Sequence, residues 1–301
     1  MFNVKTAEEL PIGVIGIVGP PRSGKSFLMN MIAVHLQHLE SLGRTYRADE
    51  RFHTSKQYRD NRRHDWLKAN GEFVLGYINT PSEMDGFRVA PAIHPVTKGT
   101  SVYGKVFIID NERVDGGKMG VILVDNQGMW DIKNDENIDY ATFGITCLIS
   151  SYFIFNVMSA LDTMIVNRIS ALCSHFKQMC QNDREKPFDH LDIMIRNSHN
   201  IDTDTSTLQD CHACSEDIET SLRKHSSASV SMDSLEKCFE KIDVVTFPDP
   251  GELHTPRFDG RFDSIKPLFI SAVCEYVERV VANLNPCCPF GDHLLGKDFV
   301  R

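Results

Sequence analysis

The sequence lacks a secretory leader: residues 1–10 (Met-Phe-Asn-Val-Lys-Thr-Ala-Glu-Glu-Leu) carry no basic stretch followed by an apolar run. It also lacks an excess of positive charge. With 32 Lys and Arg against 41 Asp and Glu, the formal net charge is −9, which excludes a broad basic surface and with it nucleic acid as a general partner. No internal repeat is visible, and nine cysteines lie scattered over 301 residues without the spacing of a disulfide scaffold; a reducing, cytosolic compartment is expected. Nor is there a clean membrane span. Residues 140–161 contain no formally charged side chain, but Thr142, Thr146, Ser150, Ser151 and Asn156 interrupt them. They read as a helix over about 140–150 running into a buried central strand.

What the chain does have is 42% hydrophobic residues, enough for a sizeable core in one large α/β domain or two small ones. Its most informative stretch is 13–30. Val14, Ile15, Ile17 and Val18 form an apolar, β-branched run, Gly19 to Ser26 fits G-x-x-x-x-G-K-[ST], and Phe27 onward has helical spacing of apolar residues. This is strand, phosphate loop, helix. A polyphosphate must be approached by backbone N–H groups at the positive end of a helix, which Gly19 and Gly24 permit. Lys25 is placed to reach the β- and γ-phosphates, and the Ser26 hydroxyl to ligate Mg2+.

Downstream, 27–42 is expected as a helix, and the charge-dense 44–70 as a solvated segment anchored by Trp66 and Leu67. An alternating strand over 101–109 and a second over 119–124 suggest an antiparallel edge hairpin that delivers Asp125-Asn126-Gln127-Gly128 to a strand end. Strands at 153–157 and 191–196 alternate with helices at 140–150 and 161–179. Residues 199–234, rich in Ser, Thr, Asp and His, read as a mobile insertion with little core of its own. A helix over 235–242, a short strand over 244–247 and an amphipathic helix over 264–284 complete the pattern. Strands separated by helices imply a mostly parallel, doubly wound sheet of the three-layer P-loop NTPase kind, with ligand at the carboxyl ends of the strands. Cys211-His212-Ala213-Cys214 has C-x-x-C spacing without a second pair and reads as free thiols. His175, His190 and His254 read as isolated surface or capping residues.

Four ordered motifs, 19–30, Val96-Thr97-Lys98-Gly99, Val124-Asp125-Asn126-Gln127-Gly128 and Ile195-Arg196, together resemble the large GTPases of the dynamin superfamily that include atlastins and guanylate-binding proteins. The match is closest to the atlastin branch, whose order is also followed by Ala141-Thr142-Phe143, by 247–251 (Phe-Pro-Asp-Pro-Gly) and by Phe258-Asp259-Gly260. The resemblance implies a Mg2+-dependent GTPase domain over 1–285 and a short tail over 286–301. Nucleotide contacts are then implied at Pro20, Pro21, Arg22, Ser23, Gly24, Lys25, Ser26, Phe27, Asp125, Gln127, Gly128, Arg196, Asn197 and Phe247. Thr97 would join Ser26 on the metal, with Asp125 holding a metal-bound water and Gly128 sensing the γ-phosphate. Arg22 resembles an internal arginine finger, so the implied catalytic set is Arg22, Lys25, Ser26 and Thr97. The loop beginning at Phe247 would close over the base.

Two departures stand out. The family's guanine-reading pair is Arg-Asp, whereas here it is Arg196-Asn197; an amide offers one acceptor where guanine's N1–H and N2 amino group want two. Asp202 or Asp204 could substitute if the following loop folded back. Furthermore, the helical middle domain and membrane anchor of atlastins are not in this sequence. The resemblance implies GTP and GDP as ligands, a homodimer through the nucleotide face, pairing with full-length atlastin-like proteins, and a cytoplasmic or peripheral endoplasmic-reticulum location. A pseudo-GTPase binding module is the alternative.

Overall fold

The computed structural model describes residues 7–42, 65–69, 72–73, 87, 99–130, 135–180, 185–251, 265–288 and 292–299. Their centre is a seven-stranded sheet of β1 (Ile12–Val18), β4 (Thr100–Val102), β5 (Phe107–Asp110), β6 (Lys118–Asn126), β7 (Tyr152–Met158), β8 (Phe188–Arg196) and β9 (Phe239–Thr246). Two short strands, β2 (Lys68–Ala69) and β3 (Glu72–Phe73), pair separately. The order across the sheet is β4-β6-β1-β7-β8-β9, with β5 also against β6. Strands β6, β1, β7, β8 and β9 run parallel, while β4 and β5 are antiparallel to β6. The fold is therefore the α/β class expected, with antiparallel pairing confined to one edge.

Helices α1 (Lys25–Leu42), α2 (Glu136–Ile149), α3 (Thr163–Met179), α4 (Leu208–Lys224), α5 (Ser226–Glu236) and α6 (Pro267–Ala282) cover both faces. Strand β1 is apolar at successive positions because each face is buried: Ile15 and Ile17 pack with α1 and α6, and Val18 packs on the opposite side with Phe153, Phe155 and helices α2 and α3. Trp66 anchors its segment as expected, its indole N–H donating to Glu278 Oε1 at 3.0 Å and its ring lying edge-on to His35. No helix among the described residues is long and apolar enough to cross a membrane. The uncharged stretch resolves into the end of α2 and the buried β7.

Several expectations fail. The span 101–109 is two strands, parted at Gly104-Lys105, each pairing with β6. The supposed mobile insertion contains α4 and α5, which bury Cys211, Leu222, Ala228, Met232 and Leu235. Helix α4 starts at a capping box in which the Thr207 hydroxyl accepts from the Asp210 N–H and the Asp210 carboxylate accepts from the Thr207 N–H. The helix expected over 235–242 is the end of α5 followed by β9, whose Phe239 pairs in register with Phe188. Where described, the short tail packs on the start of β1. Cys287 and Leu294 pair with each other and with Ile12, and Gly296 N–H and Lys297 N–H donate to Leu10 O and Glu8 O at 3.1 Å each.

His190 is no isolated surface residue. Its Nε2 lies 3.0 Å from Asp192 Oδ1 and 3.1 Å from Asp243 Oδ2, and its ring stacks on Tyr152. Tyr152 donates to Asp192 Oδ2, which also meets Arg279 at 3.4 Å, while Lys241 pairs with Asp243 at 2.7 Å. Arg279 and Lys241 already balance the two carboxylates, so this cluster reads as a neutralised structural network.

Candidate functional site

The phosphate loop leaves β1 at Val18 and enters α1 at Lys25. Gly19 has φ +144°, and a Cβ there would stand 2.0 Å from Asn156 O, so the loop passes too close to β7 for any side chain. Asn156 then fastens the loop from below: its Nδ2 donates to Ser23 O at 2.8 Å and to Ser23 Oγ at 3.0 Å, and Ser23 Oγ donates to Pro20 O at 2.8 Å. In the sequence Asn156 stands out only as a polar interruption of an apolar run; a buried amide one strand away from a phosphate loop is the signal that identifies it. Pro20 and Pro21 contribute loop shape but no N–H. Arg22 is exposed with φ +60°, and no carboxylate pairs with it among the described residues. Its guanidinium is therefore not held as a surface ion pair.

Lys25 is buried, its Nζ donating to Gly19 O at 3.2 Å and Pro20 O at 2.8 Å. Burial lowers its pKa to about 8 against the opposing charge of Asp125. Ser26 Oγ donates to Asp125 Oδ2 at 2.5 Å, which brings the α1 hydroxyl to the end of β6. Both are hard oxygen donors of the kind Mg2+ takes. Met129 N–H donates to Gly19 O at 2.9 Å, and a Cβ on Gly128 would lie 2.2 Å from Pro21 Cα. Gly128 is thus pressed against the phosphate loop. Gln127 turns to Gly99 instead: its Oε1 accepts from Gly99 N–H at 2.8 Å and its backbone N–H donates to Gly99 O at 2.8 Å. This pairing ties the end of the Thr97 segment to the Asp125–Gly128 turn. Thr97 itself, like Phe258-Asp259-Gly260 and His254, lies outside the described residues.

The base end departs more from expectation. Arg196, at the end of β8, is buried with its guanidinium 5.1 Å from the Phe269 ring centre, 5.8 Å from Phe247 and 6.0 Å from Phe27. Its Nη1 donates to Gly24 O at 3.4 Å. Burial lowers its pKa to about 10. Phe247, expected to lie over the base, is instead core: it is 1% exposed and packs at right angles on Tyr276. Phe27 is buried likewise at 3%. The reason is ladder continuity, since Phe247 N–H donates to Ile195 O and Ser198 N–H to Phe247 O, which carries the β8–β9 pairing past the strand ends. Asn197, beside Arg196, is half-buried with φ +55°. Both candidate substitute carboxylates have other partners. Asp202 accepts from Asp204 N–H at 2.9 Å, and Asp204 pairs with Lys266.

Lys25, Ser26, Asp125, Gly128 and Arg196 therefore gather around one turn at the carboxyl ends of β1, β6 and β8. Two buried cations, a helix N-terminus and a hydroxyl–carboxylate pair suit a polyphosphate with a divalent ion. A sequence profile described as "Guanylate-binding protein, N-terminal domain" matches residues 2–286. Among curated proteins the chain is similar to Atlastin of Drosophila melanogaster, 22% identical over 90% of this chain and 45% of that protein. Similar, too, are Atlastin-1 of Rattus norvegicus, 22% identical over 85% and 40%, and Atlastin-2 of Homo sapiens, 21% identical over 96% and 43%. The chain spans less than half the length of these relatives. Among solved structures, Toc33 of Arabidopsis thaliana overlaps with a TM-score of 0.39 at 10% identity, covering 91% of this chain and 85% of that one. The GTP-bound, GTPase-like domain of Ski7 from S. cerevisiae overlaps with a TM-score of 0.37 at 12% identity, covering 92% and 52%. The fold assignment rests on strand order rather than on these overlaps.

Proposed function

This chain belongs to the family of guanylate-binding protein N-terminal domains, and from that premise we propose that it binds GTP at the β1–α1 turn and hydrolyses it to GDP and phosphate. The observation that carries the reading is Lys25, a buried amine resting on its own loop's carbonyls within a turn that Asn156 holds in shape. On binding, the amine would exchange Gly19 O and Pro20 O for β- and γ-phosphate oxygens. The backbone of 22–27 would face the phosphates, with Gly128 pressed close enough to donate its N–H to the γ-phosphate. Ser26 and Thr97 would hold Mg2+, with Asp125 orienting a bound water, and the ion would supply positive charge against that of the phosphates. Arg22, exposed at the loop's crest, would place its guanidinium on charge growing at the β–γ bridge. The test is Mg2+-dependent GTP turnover. Wild-type turnover should collapse to background in Lys25→Ala; equal turnover in the two proteins overturns the reading.

A second reading has its own support in the Arg196-Asn197 end. With no carboxylate at the strand terminus and Asp202 and Asp204 engaged elsewhere, guanine loses one of its two acceptors. The chain would then grip phosphate while discriminating weakly among bases, acting as a pseudo-GTPase regulator. Competition of GTP, ATP and XTP against the wild-type domain separates the two: strong preference for GTP supports the first, and comparable affinities without turnover support the second. The proposal extends to a homodimer through the nucleotide face, to pairing with full-length atlastin-like proteins, and to a peripheral role in endoplasmic-reticulum membrane organisation. Sedimentation with GTP and Mg2+ tests the dimer.

A further inference from the structure

The tail carries chemistry that nucleotide binding does not use. Cys287 N–H donates to Ile12 O at 2.7 Å, Ile12 N–H to Leu294 O at 2.9 Å, and Leu294 N–H to Cys287 O at 2.9 Å. These contacts set the segments holding Cys287 and Leu294 side by side, and the adjoining residues Cys288 and His293 meet through their side chains. Cys288 Sγ lies 2.7 Å from His293 Nδ1. His293 is exposed and Cys288 half-buried. The neighbouring Cys287 is spent on structure, buried with its thiol directed to Ile149 O at 2.8 Å.

From this geometry we infer that Cys288 and His293 form a nucleophile–base pair, and that Cys288 is a site of mixed-disulfide formation with low-molecular-weight disulfides such as glutathione disulfide. A thiol within hydrogen-bond reach of an imidazole is the arrangement that activates sulfur in unrelated folds. The imidazole takes the thiol proton, and the Cys288 thiolate attacks one sulfur of the small disulfide. A new S–S bond forms to Cys288 as the original one breaks, and the departing thiolate takes the proton back from the imidazolium. The Cys288 sulfur is oxidised and the leaving sulfur reduced, so the incoming disulfide is the only oxidant needed. The other described thiols lack this setting: Cys147, Cys173, Cys211, Cys238 and Cys274 are buried, the half-buried Cys214 faces the Ser198 hydroxyl at 3.9 Å, and burial pushes the half-buried Cys180 upward from the usual thiol range.

Reaction of the folded full chain with glutathione disulfide at neutral pH, followed by peptide mass mapping at early times, tests this. Cys288 should be modified first, about tenfold faster than Cys180 or Cys214, and His293→Gln should remove about that factor. Earlier modification of Cys180 or Cys214, or an unchanged rate in a His293→Gln protein with native circular dichroism, overturns the inference. If His293→Gln loosens the tail, the wild-type pH profile decides. An imidazole-activated thiol keeps its rate well below pH 8, whereas an ordinary thiol gains about tenfold per pH unit up to roughly 8.5.

Discussion

Two arginines on the same face of the sheet have opposite surroundings. Arg279 on α6 meets the buried carboxylate of Asp192; burial alone would lower its pKa, but the negative charge of Asp192 outweighs this and raises it. Arg196, at the carboxyl end of β8, meets no carboxylate among the described residues, only three phenylalanine rings and the Gly24 carbonyl at 3.4 Å. Burial lowers it without opposition. Lys25, next in the chain to the Gly24 whose carbonyl Arg196 meets, is lowered as well. One end of the sheet is neutral and serves folding; the other accumulates positive charge that folding alone does not require, the electrostatic mark of a site for an anion.

Substitutions should therefore separate by end. The largest effect is expected at Arg22, where Arg22→Ala lowers single-turnover GTP hydrolysis by about 10³-fold or more while the unfolding midpoint stays put. Next comes the pair of arginines. Arg279→Met removes the cation facing the fully buried Asp192 and should cost about 2–3 kcal/mol in chemical denaturation, below the full cost of breaking a buried pair because Arg279 keeps 38% exposure and Asp192 keeps Tyr152 and His190. Arg196→Met should change stability by no more than about 1 kcal/mol and weaken GTP binding instead. Equal destabilisation by the two would erase the distinction. Asn197→Asp supplies a carboxylate next to Arg196 at the β8 terminus, and should raise the GTP-to-ATP affinity ratio by about tenfold or more in a competition titration.

Two pH effects are smaller. Lys25 has a folded-state pKa lowered to about 8, so its buried charge opposes folding below that pH and the penalty fades as pH rises toward 10.5. A bound polyphosphate restores the charge, so calorimetry near pH 9 in buffers of different ionisation enthalpy should register proton uptake on GTP binding. His190 behaves in reverse. Burial alone would lower it, yet hydrogen bonds to Asp192 and Asp243 raise it. Its contribution is complete below about pH 6.5 and is lost as pH climbs through the raised value. His190→Gln should flatten that part of the stability profile.

Local signals were readable in the sequence where they were contiguous. The strand, loop and helix over 13–30 announce themselves because every residue type there answers to its neighbours. The α/β alternation followed from apolar runs in β1, β7 and β8. Long-range pairing was not readable. Cys238, Phe239 and Ile242 follow Leu235 at helical spacing, but the register of Phe239 on Phe188 draws them into β9. Helices α4 and α5 hid behind a polar composition, although Thr207-Leu208-Gln209-Asp210 was a legible capping box. At the site, Lys25 and Ser26 were evident from the motif, whereas the enclosure of Arg196 and the burial of Phe247 depend on α6, more than seventy residues beyond Arg196 in the chain.

The docking of Cys287 and of residues 294–297 onto 8–12 has a mechanical side. Those contacts grip the entry of β1, and the exit of the same strand is the phosphate loop. Seven residues of extended backbone, about 23 Å at 3.3 Å each, are all that lies between them. Traction on the tail would reach the phosphate loop along one stiff rod flanked by β6 and β7, and a change in the loop's grip would be felt at the tail by the same route.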